Sequence, residues 1–153
     1  MVDKKRKPKP KRKSLSNALI EAAAGAADVE VLRSDVVMPP GLPFSDGVRV
    51  GRLVILSGQL GIRPGTMQLV DGGMQAQARQ TLDNIARVLA AHGLSLRDVV
   101  RVQVMLADMA DWPGFNDVYR EYFSEPWPAR SAFGANGLAL DARVEMEVFA
   151  VKR

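Results

Sequence analysis

The sequence has 153 residues, of which 47% are hydrophobic and 25% charged, as is typical of a soluble globular protein with room for one domain and an appendage. It contains no cysteine, which excludes disulfides, thiolate zinc sites and cysteine nucleophiles and favours a reducing, cytoplasmic setting. No apolar run approaches the ~20 residues that span a bilayer, and no apolar segment follows the charged N-terminus, so we predict neither a membrane helix nor a secretory signal.

The net charge of +4 combines two segments of opposite sign. Residues 1–13 carry eight Lys or Arg and one Asp, whereas the rest of the chain is mildly acidic. Clustered like charge cannot bury apolar surface, so we predict a disordered tail at 1–30 and a folded domain at 31–153. Three interpretations of the tail stay open: a solvated extension, a start codon chosen upstream of the true one, or a segment, Lys4 to Lys13, that contacts nucleic acid or another anionic surface or serves as a nuclear address.

The first elements after the basic residues are short. The composition of residues 14–28 predicts only a marginal helix, because Gly25 weakens it. Three prolines and two glycines make 36–47 an extended, turn-rich lead-in. The segment 48–57 then predicts a β-hairpin with Gly51-Arg52 at the turn.

A helix and a strand follow. From Met74 to His92 the apolar residues recur at helical spacing, and Gly93 stands where a C′ glycine ends a helix. From Asp98 to Leu106 the pattern predicts a strand. The helix stripe is Ala78, Leu82, Ile85 and Leu89; one strand face is Val100, Val102, Val104 and Leu106, and the other is Val99, Arg101, Gln103 and Met105.

The C-terminal third predicts a second helix and two strands. Asp111 is the expected N-cap, Pro113 lies in the first turn, and strands follow at about 129–135 and 142–151. The order β-β-α-β-α-β-β indicates an α+β domain with two helices on one face of one sheet. The other face mixes polar and apolar residues, which suggests an oligomer contact containing a cleft. The second helix stripe is Phe115, Val118, Tyr119, Tyr122 and Phe123.

Several chemistries are excluded by the residues available. Neither GxxxxGK[ST] nor GxGxxG is present, so the standard phosphate-binding loops are missing. The single histidine, His92, is expected to interact with the carbonyls at a helix end, and no GxSxG elbow accompanies it. The ligand supply does not suit zinc, and the aspartates of 108–117 do not match a calcium-binding loop.

Arg130 and Glu145 interrupt the predicted C-terminal strands. One interpretation is a structural ion pair between neighbouring strands. The other is a site for a small carboxylate that reacts with water, because the arginine fork can hold a carboxylate with two parallel hydrogen bonds and a glutamate can move a proton. Gly58 offers a backbone N–H that no side chain obstructs.

The segments ILSGQLG, QARQTLDNIARVLAAHGLSLRDVVRVQVMLADMADWPGFNDVYREYF, PARS and VEMEVFAV closely resemble the Rid family of reactive-intermediate deaminases, also called YjgF. The resemblance covers about residues 40–153. It implies a chorismate-mutase-like fold, a homotrimer with active sites between subunits, and no metal or organic cofactor. The implied activity is hydrolysis of 2-imino or 2-enamino acids, such as 2-aminoacrylate, to 2-keto acids and ammonia.

The resemblance also implies roles for individual residues. Arg130 matches the arginine that binds the substrate carboxylate, and Glu145 matches the glutamate that positions or activates water. Ala132, where many members have cysteine, contributes its backbone carbonyl. Phe44 replaces a tyrosine common in deaminase members and so leaves substrate orientation and breadth open. The remaining residues that match the lining of the cleft are Ser57, Gly58 and Asn116.

Three other functions stay open at this stage. One is a relative that acts on a larger enamine. Another is a trimer of the same fold that binds small carboxylates without catalysis. The third is a protein that acts on RNA or binds nucleic acid through the basic tail, for which binding would weaken steeply with salt.

Overall fold

A computed structural model describes residues 28–153. The basic segment 1–13 and most of the marginal helix 14–28 lie outside the described residues. The elements are β1 (Val29–Leu32), β2 (Gly47–Val50), β3 (Leu53–Leu56), β4 (Gln59–Leu60), α1 (Gly73–Ala91), β5 (Val99–Leu106), α2 (Trp112–Tyr122), β6 (Ala129–Gly134) and β7 (Val144–Val151).

The strands form one sheet in the order β1-β2-β3-β7-β5-β6, and β4 also pairs with β7. Neighbouring strands are antiparallel except β5 and β6, which are parallel because α2 connects them. The predicted α+β architecture is confirmed. Two strands were missed: β4, with two residues, and β1, whose first two residues precede the predicted domain start.

Both helices pack against the sheet with the faces that the sequence indicates. The predicted stripe of α1 is buried in full. In α2 and the residue after it, Phe115, Val118, Tyr119 and Phe123 are buried, whereas Tyr122 is only partly buried. Strands β5 and β7 supply the opposing surface through alternate residues. That surface consists of Val102, Val104 and Leu106 on β5 and Val144, Met146, Val148 and Ala150 on β7.

The faces predicted for β5 are wrong at its start. A shift in register occurs between Val99 and Arg101, opposite β7. A bulge of this kind adds a residue to one strand and reverses the alternation that precedes it. Val99 is therefore buried and Val100 is exposed, the opposite of the strict period-two pattern.

The ends of the helices are fixed partly as predicted. Gly93 follows α1 with a φ of 75°, a conformation that favours glycine. His92 does not bond the helix carbonyls through its ring, because Nε2 lies 3.2 Å from the carboxylate of Asp46. Asp111 directly precedes α2 but its side chain caps no helix N–H; instead Asp108 accepts a hydrogen bond from the amide of Ala110.

The second face of the sheet is only partly covered in the single chain. Two rows of apolar side chains run across β1, β2, β3 and β7 on this face, and Val29 and Val31 at the edge are exposed. An apolar band of this extent is unusual on the surface of a monomer. The two rows are Val29, Val50, Leu53 and Val151, and Val31, Val48, Ile55 and Phe149.

Neither helix of residues 28–153 is long and apolar enough to cross a membrane.

The buried Asn84 connects α1 to β4. Its Nδ2 donates hydrogen bonds of 2.9 Å to the carbonyls of Leu60 and Ile62, and its Oδ1 accepts one from Gln80. The segment 57–62 passes beside β7, so this amide fixes the position of the backbone near Glu145.

Asn84→Ala leaves two buried carbonyls without their donors and is expected to lower the free energy of unfolding by about 1–3 kcal/mol. Chemical denaturation followed by circular dichroism measures the change. Arg87→Ala, on the exposed side of the same helix, is the control and is expected to change stability by less than about 0.5 kcal/mol. Equal stability of the two variants would contradict the role assigned to Asn84.

Candidate functional site

Arg130 lies on β6, at the edge of the sheet, and its side chain points to the helix-bearing face. In the parallel register it pairs with Val102, which is buried under the helices. Paired residues of neighbouring strands share a face, so the guanidinium group is directed toward α2. Strand β6 is short and has only β5 as a neighbour, which leaves room beside Arg130 at the sheet edge.

The guanidinium group of Arg130 is held by one amide and three aromatic rings of α2. Its Nη2 donates a hydrogen bond of 2.7 Å to Oδ1 of Asn116. Its Cζ lies 4.4 Å from the ring centroid of Tyr119, 5.3 Å from that of Trp112 and 5.8 Å from that of Phe115. Contacts of a planar cation with aromatic faces are attractive and fix its orientation, so Arg130 is held in place without a neutralising charge.

The structural ion pair between Arg130 and Glu145 does not form in this chain. Strand β5 lies between β6 and β7, and Glu145 pairs with Met105 on the face opposite the helices. Within residues 28–153 the salt bridges do not include Arg130. The interpretation of these residues as neighbouring-strand partners is therefore wrong.

Glu145 is half-buried on the second face, beside Gly58. A side chain at position 58 would collide with the Glu145 carboxyl group, whose Cδ is 3.1 Å from the position of the missing Cβ. Burial raises the pKa of Glu145 above that of an ordinary carboxyl group, and the charge of Glu147 raises it further. A glutamate whose ionised form is destabilised accepts a proton more readily than an ordinary carboxylate does.

Ser57 and Phe44 lie in the segments adjoining Gly58. The hydroxyl of Ser57 donates a 2.7 Å hydrogen bond to the carbonyl of Ser45, and its amide donates to the carbonyl of Asp46. Ser45 directly follows Phe44, whose ring is exposed. These two hydrogen bonds bring the loop of Phe44 next to Gly58 and hence toward Glu145.

Ala132 occupies the same face of β6 as Arg130, two residues further along. The amide of Ala135 donates to the carbonyl of Leu106 on β5. In a parallel ladder alternate residues direct both backbone groups to the same side, so the carbonyl of Ala132 points outward at the free edge. An unobstructed acceptor is thus available near Arg130.

A cavity of about 470 Å³ opens beside Arg130. Two of its lining residues, Arg130 and Asn116, were predicted from the sequence, whereas Trp112 and Trp127 were not. The signal available in the sequence was that Trp112 lies four residues before Asn116 and that Trp127 directly precedes PARS. The cavity is lined by Trp112, Asn116, Tyr119, Arg120, Trp127, Pro128 and Arg130.

The predicted site residues thus form two groups in one chain. Arg130, Asn116 and Ala132 lie on β6 and α2, toward the helices. Glu145 and Gly58, with the adjoining Ser57 and Phe44, lie toward the other face. The first group provides a cation and a cavity, and the second provides a carboxyl group. A reaction that needs both requires more than one chain.

Residues 36–152 match the family model described as Endoribonuclease L-PSP. A curated relative, the 2-iminobutanoate/2-iminopropanoate deaminase of the goat Capra hircus, is 44% identical over 110 residues, which are 72% of this chain and 80% of that protein.

Two solved structures are similar to this chain. RidA from an Antarctic bacterium of the genus Psychrobacter superimposes with a TM-score of 0.75 at 38% identity, over 80% of this chain and 98% of that one. TdcF from E. coli, solved with bound serine, gives a TM-score of 0.74 at 30% identity, over 81% of this chain and 99% of that one.

Glu145→Gln is expected to raise the free energy of unfolding at neutral pH. Because the pKa of Glu145 is raised in the folded state, the folded protein binds this proton more tightly than the unfolded chain does. The stability associated with the proton is present below the unfolded pKa and is lost as the pH rises through the folded pKa. The variant avoids this loss, so its advantage should disappear as the solution is acidified to about pH 4.

Denaturation curves at several pH values and one protein concentration measure this difference. Glu121→Gln is a control of opposite sign, because the hydrogen bond and charge of Arg79 lower the pKa of Glu121. A Glu145→Gln protein less stable than wild type at neutral pH would show that the carboxylate is stabilised, not penalised, by its surroundings.

Proposed function

Because the chain belongs to the Rid family of reactive-intermediate deaminases, we propose that it hydrolyses 2-imino and 2-enamino acids, such as 2-iminobutanoate and 2-iminopropanoate, to 2-keto acids and ammonia. The observation that carries this proposal is the position of Arg130, which lies at a cavity and is held by Asn116 and aromatic rings instead of an acid. Such a cation attracts the carboxylate that all these substrates share.

Arg130 binds the substrate carboxylate. One Nη atom already donates to Asn116, and the remaining N–H groups of the planar fork are available for two parallel hydrogen bonds. Because the rings of α2 fix the plane of the guanidinium, the substrate is bound in one orientation. Orientation of this kind supplies much of the rate enhancement when two reactants are brought together.

Glu145 handles the proton transfers. Water adds to the imine carbon while the carboxylate accepts a proton from it and passes that proton to the nitrogen, which gives a carbinolamine. A second proton then moves from the carbinolamine hydroxyl through Glu145 to the nitrogen, the keto C=O forms, the C–N bond breaks and ammonia leaves. Imines already hydrolyse in water, so a general acid–base group contributing about 10²–10⁴-fold suffices. The outward carbonyl of Ala132 accepts a hydrogen bond from the water or the substrate nitrogen, and these steps use only side chains and backbone of the protein.

We also propose that the active unit is a homotrimer with its sites between subunits. Two observations support it: Arg130 and Glu145 of one chain lie on opposite faces of the sheet, and the second face carries half-exposed apolar rows. Packing of subunits through that face buries the rows and brings Glu145, Gly58 and Ser57 of one chain to the cavity of another.

The absence of cysteine supports a cytoplasmic location.

Phe44 contributes an apolar wall to this site. Its ring is exposed in the single chain and carries no hydroxyl with which to orient the substrate nitrogen. Orientation therefore depends on Arg130 at one end of the substrate and on backbone groups of Gly58 and Ala132 at the other.

Arg130→Ala is expected to reduce kcat/KM for 2-iminobutanoate by about 10²-fold or more, because a paired, charge-assisted contact is lost. Arg130→Lys is expected to be nearly as damaging, since an ammonium group cannot reproduce the two parallel hydrogen bonds. An amino-acid oxidase generates the imine, and ammonia or 2-keto acid formation is measured against the spontaneous rate.

Arg63→Lys, on an exposed arginine that pairs with Asp71, is the matched control and should retain full activity. Near-normal rates in Arg130→Lys would mean that the carboxylate is held elsewhere. Wild-type protein that binds 2-ketobutyrate but leaves the spontaneous rate unchanged would favour a binding protein over an enzyme.

A further inference from the structure

We propose that the cavity beside Arg130 selects imino acids with a bulky aromatic side chain, and that Trp127 determines this preference. The inference rests on the proposed function, since it takes Arg130 as the group that binds the carboxylate. It adds that the side chain of the preferred substrate lies against the indole ring of Trp127.

The size and lining of the cavity are the first observation. Its volume of about 470 Å³ falls in the range of pockets that enclose drug-sized ligands. Three of the lining residues, Trp112, Tyr119 and Trp127, are aromatic, and the carboxylates of residues 28–153 do not line it. An apolar, flat side chain suits these walls better than a small or acidic one.

The exposure of Trp127 is the second observation. The indole is 46% exposed, although burial of a tryptophan is strongly favourable. It is held between Pro126 and Pro128, whose rings restrict the backbone on both sides. One face packs on Tyr119, with ring centroids 6.3 Å apart. A rigid, half-exposed aromatic ring at a cavity is a preorganised surface for stacking, because little entropy is lost when a ligand covers it.

Tyr119 joins this surface to the carboxylate site. The same ring lies 4.4 Å from the guanidinium carbon of Arg130 and 6.3 Å from the centroid of Trp127. It is fixed from behind by Phe123, at 4.6 Å. A substrate whose carboxylate is bound to Arg130 therefore has the indole of Trp127 within reach of its side chain.

Arg120 offers a competing preference, for substrates with a second carboxylate. It lines the same cavity, but its side chain is exposed and makes a loose contact of 3.4 Å with Asp117, which is also exposed. Exposed charges of this kind contribute little to binding. Tyr119 is buried and Trp127 lies between two prolines, whereas Arg120 is exposed and loosely paired, so the cavity favours an aromatic side chain over an acidic one.

The test compares imines generated by amino-acid oxidases from phenylalanine, tryptophan, 2-aminobutyrate and glutamate. The expected result is a kcat/KM for the two aromatic imines about tenfold above that for 2-iminobutanoate, the difference that one good apolar contact provides. A preference for 2-iminobutanoate overturns the inference, and so does a preference for the dicarboxylate imine. Failure to accelerate any of the four overturns the proposed function itself.

Trp127→Ala should lower the ratio of aromatic to 2-iminobutanoate kcat/KM about tenfold, mainly through KM, and Trp127→Phe should restore most of it. Met67→Ala removes a comparably exposed apolar side chain that is not among the cavity-lining residues, and should leave the ratio unchanged. Sedimentation of each variant accompanies the kinetics. An unchanged ratio in Trp127→Ala overturns the inference, as does a change in assembly state that accounts for the loss, because the indole then acts on assembly and not on the substrate.

Discussion

The alternation of side chains along a β-strand is the constraint on which the functional arrangement depends. Arg130 points to the helix-bearing face because it pairs with Val102, and Glu145 points away because it pairs with Met105. Strand β5 separates them, so the cation and the carboxyl group of one chain cannot act on one small substrate. A site that uses both must combine different chains. The half-exposed apolar face offers a surface for the contact between them.

The charges at the site are held by neutral groups. Asn116 and the ring of Tyr119 position Arg130 without satisfying its charge, and burial keeps the pKa of Glu145 raised. At Glu145 this has a stability cost, because burial and the charge of Glu147 destabilise the ionised form. A cation without an acidic partner and a carboxyl group with a raised pKa are features that functional sites commonly show.

Much of the fold follows from sequence periodicity, because the helix stripes and the hairpin are local patterns. The predictions that failed concern features that depend on pairing between strands that are distant in sequence. The bulge that exposes Val100, the position of β5 between β6 and β7, and the short β4 are fixed by tertiary contacts. In the same way Arg130 and Glu145 were recognised as candidates, whereas Trp127 was not, because its place in the cavity depends on packing against Tyr119 of α2.

We propose that a working site takes Arg130 from one chain and Glu145 from another. Two inactive proteins, Arg130→Ala and Glu145→Gln, can be unfolded, mixed in equal amounts and refolded together. The mixture is expected to regain roughly a quarter of the wild-type rate of 2-iminobutanoate hydrolysis, because random assembly pairs two intact halves at some interfaces. A mixture no more active than its two components would contradict it.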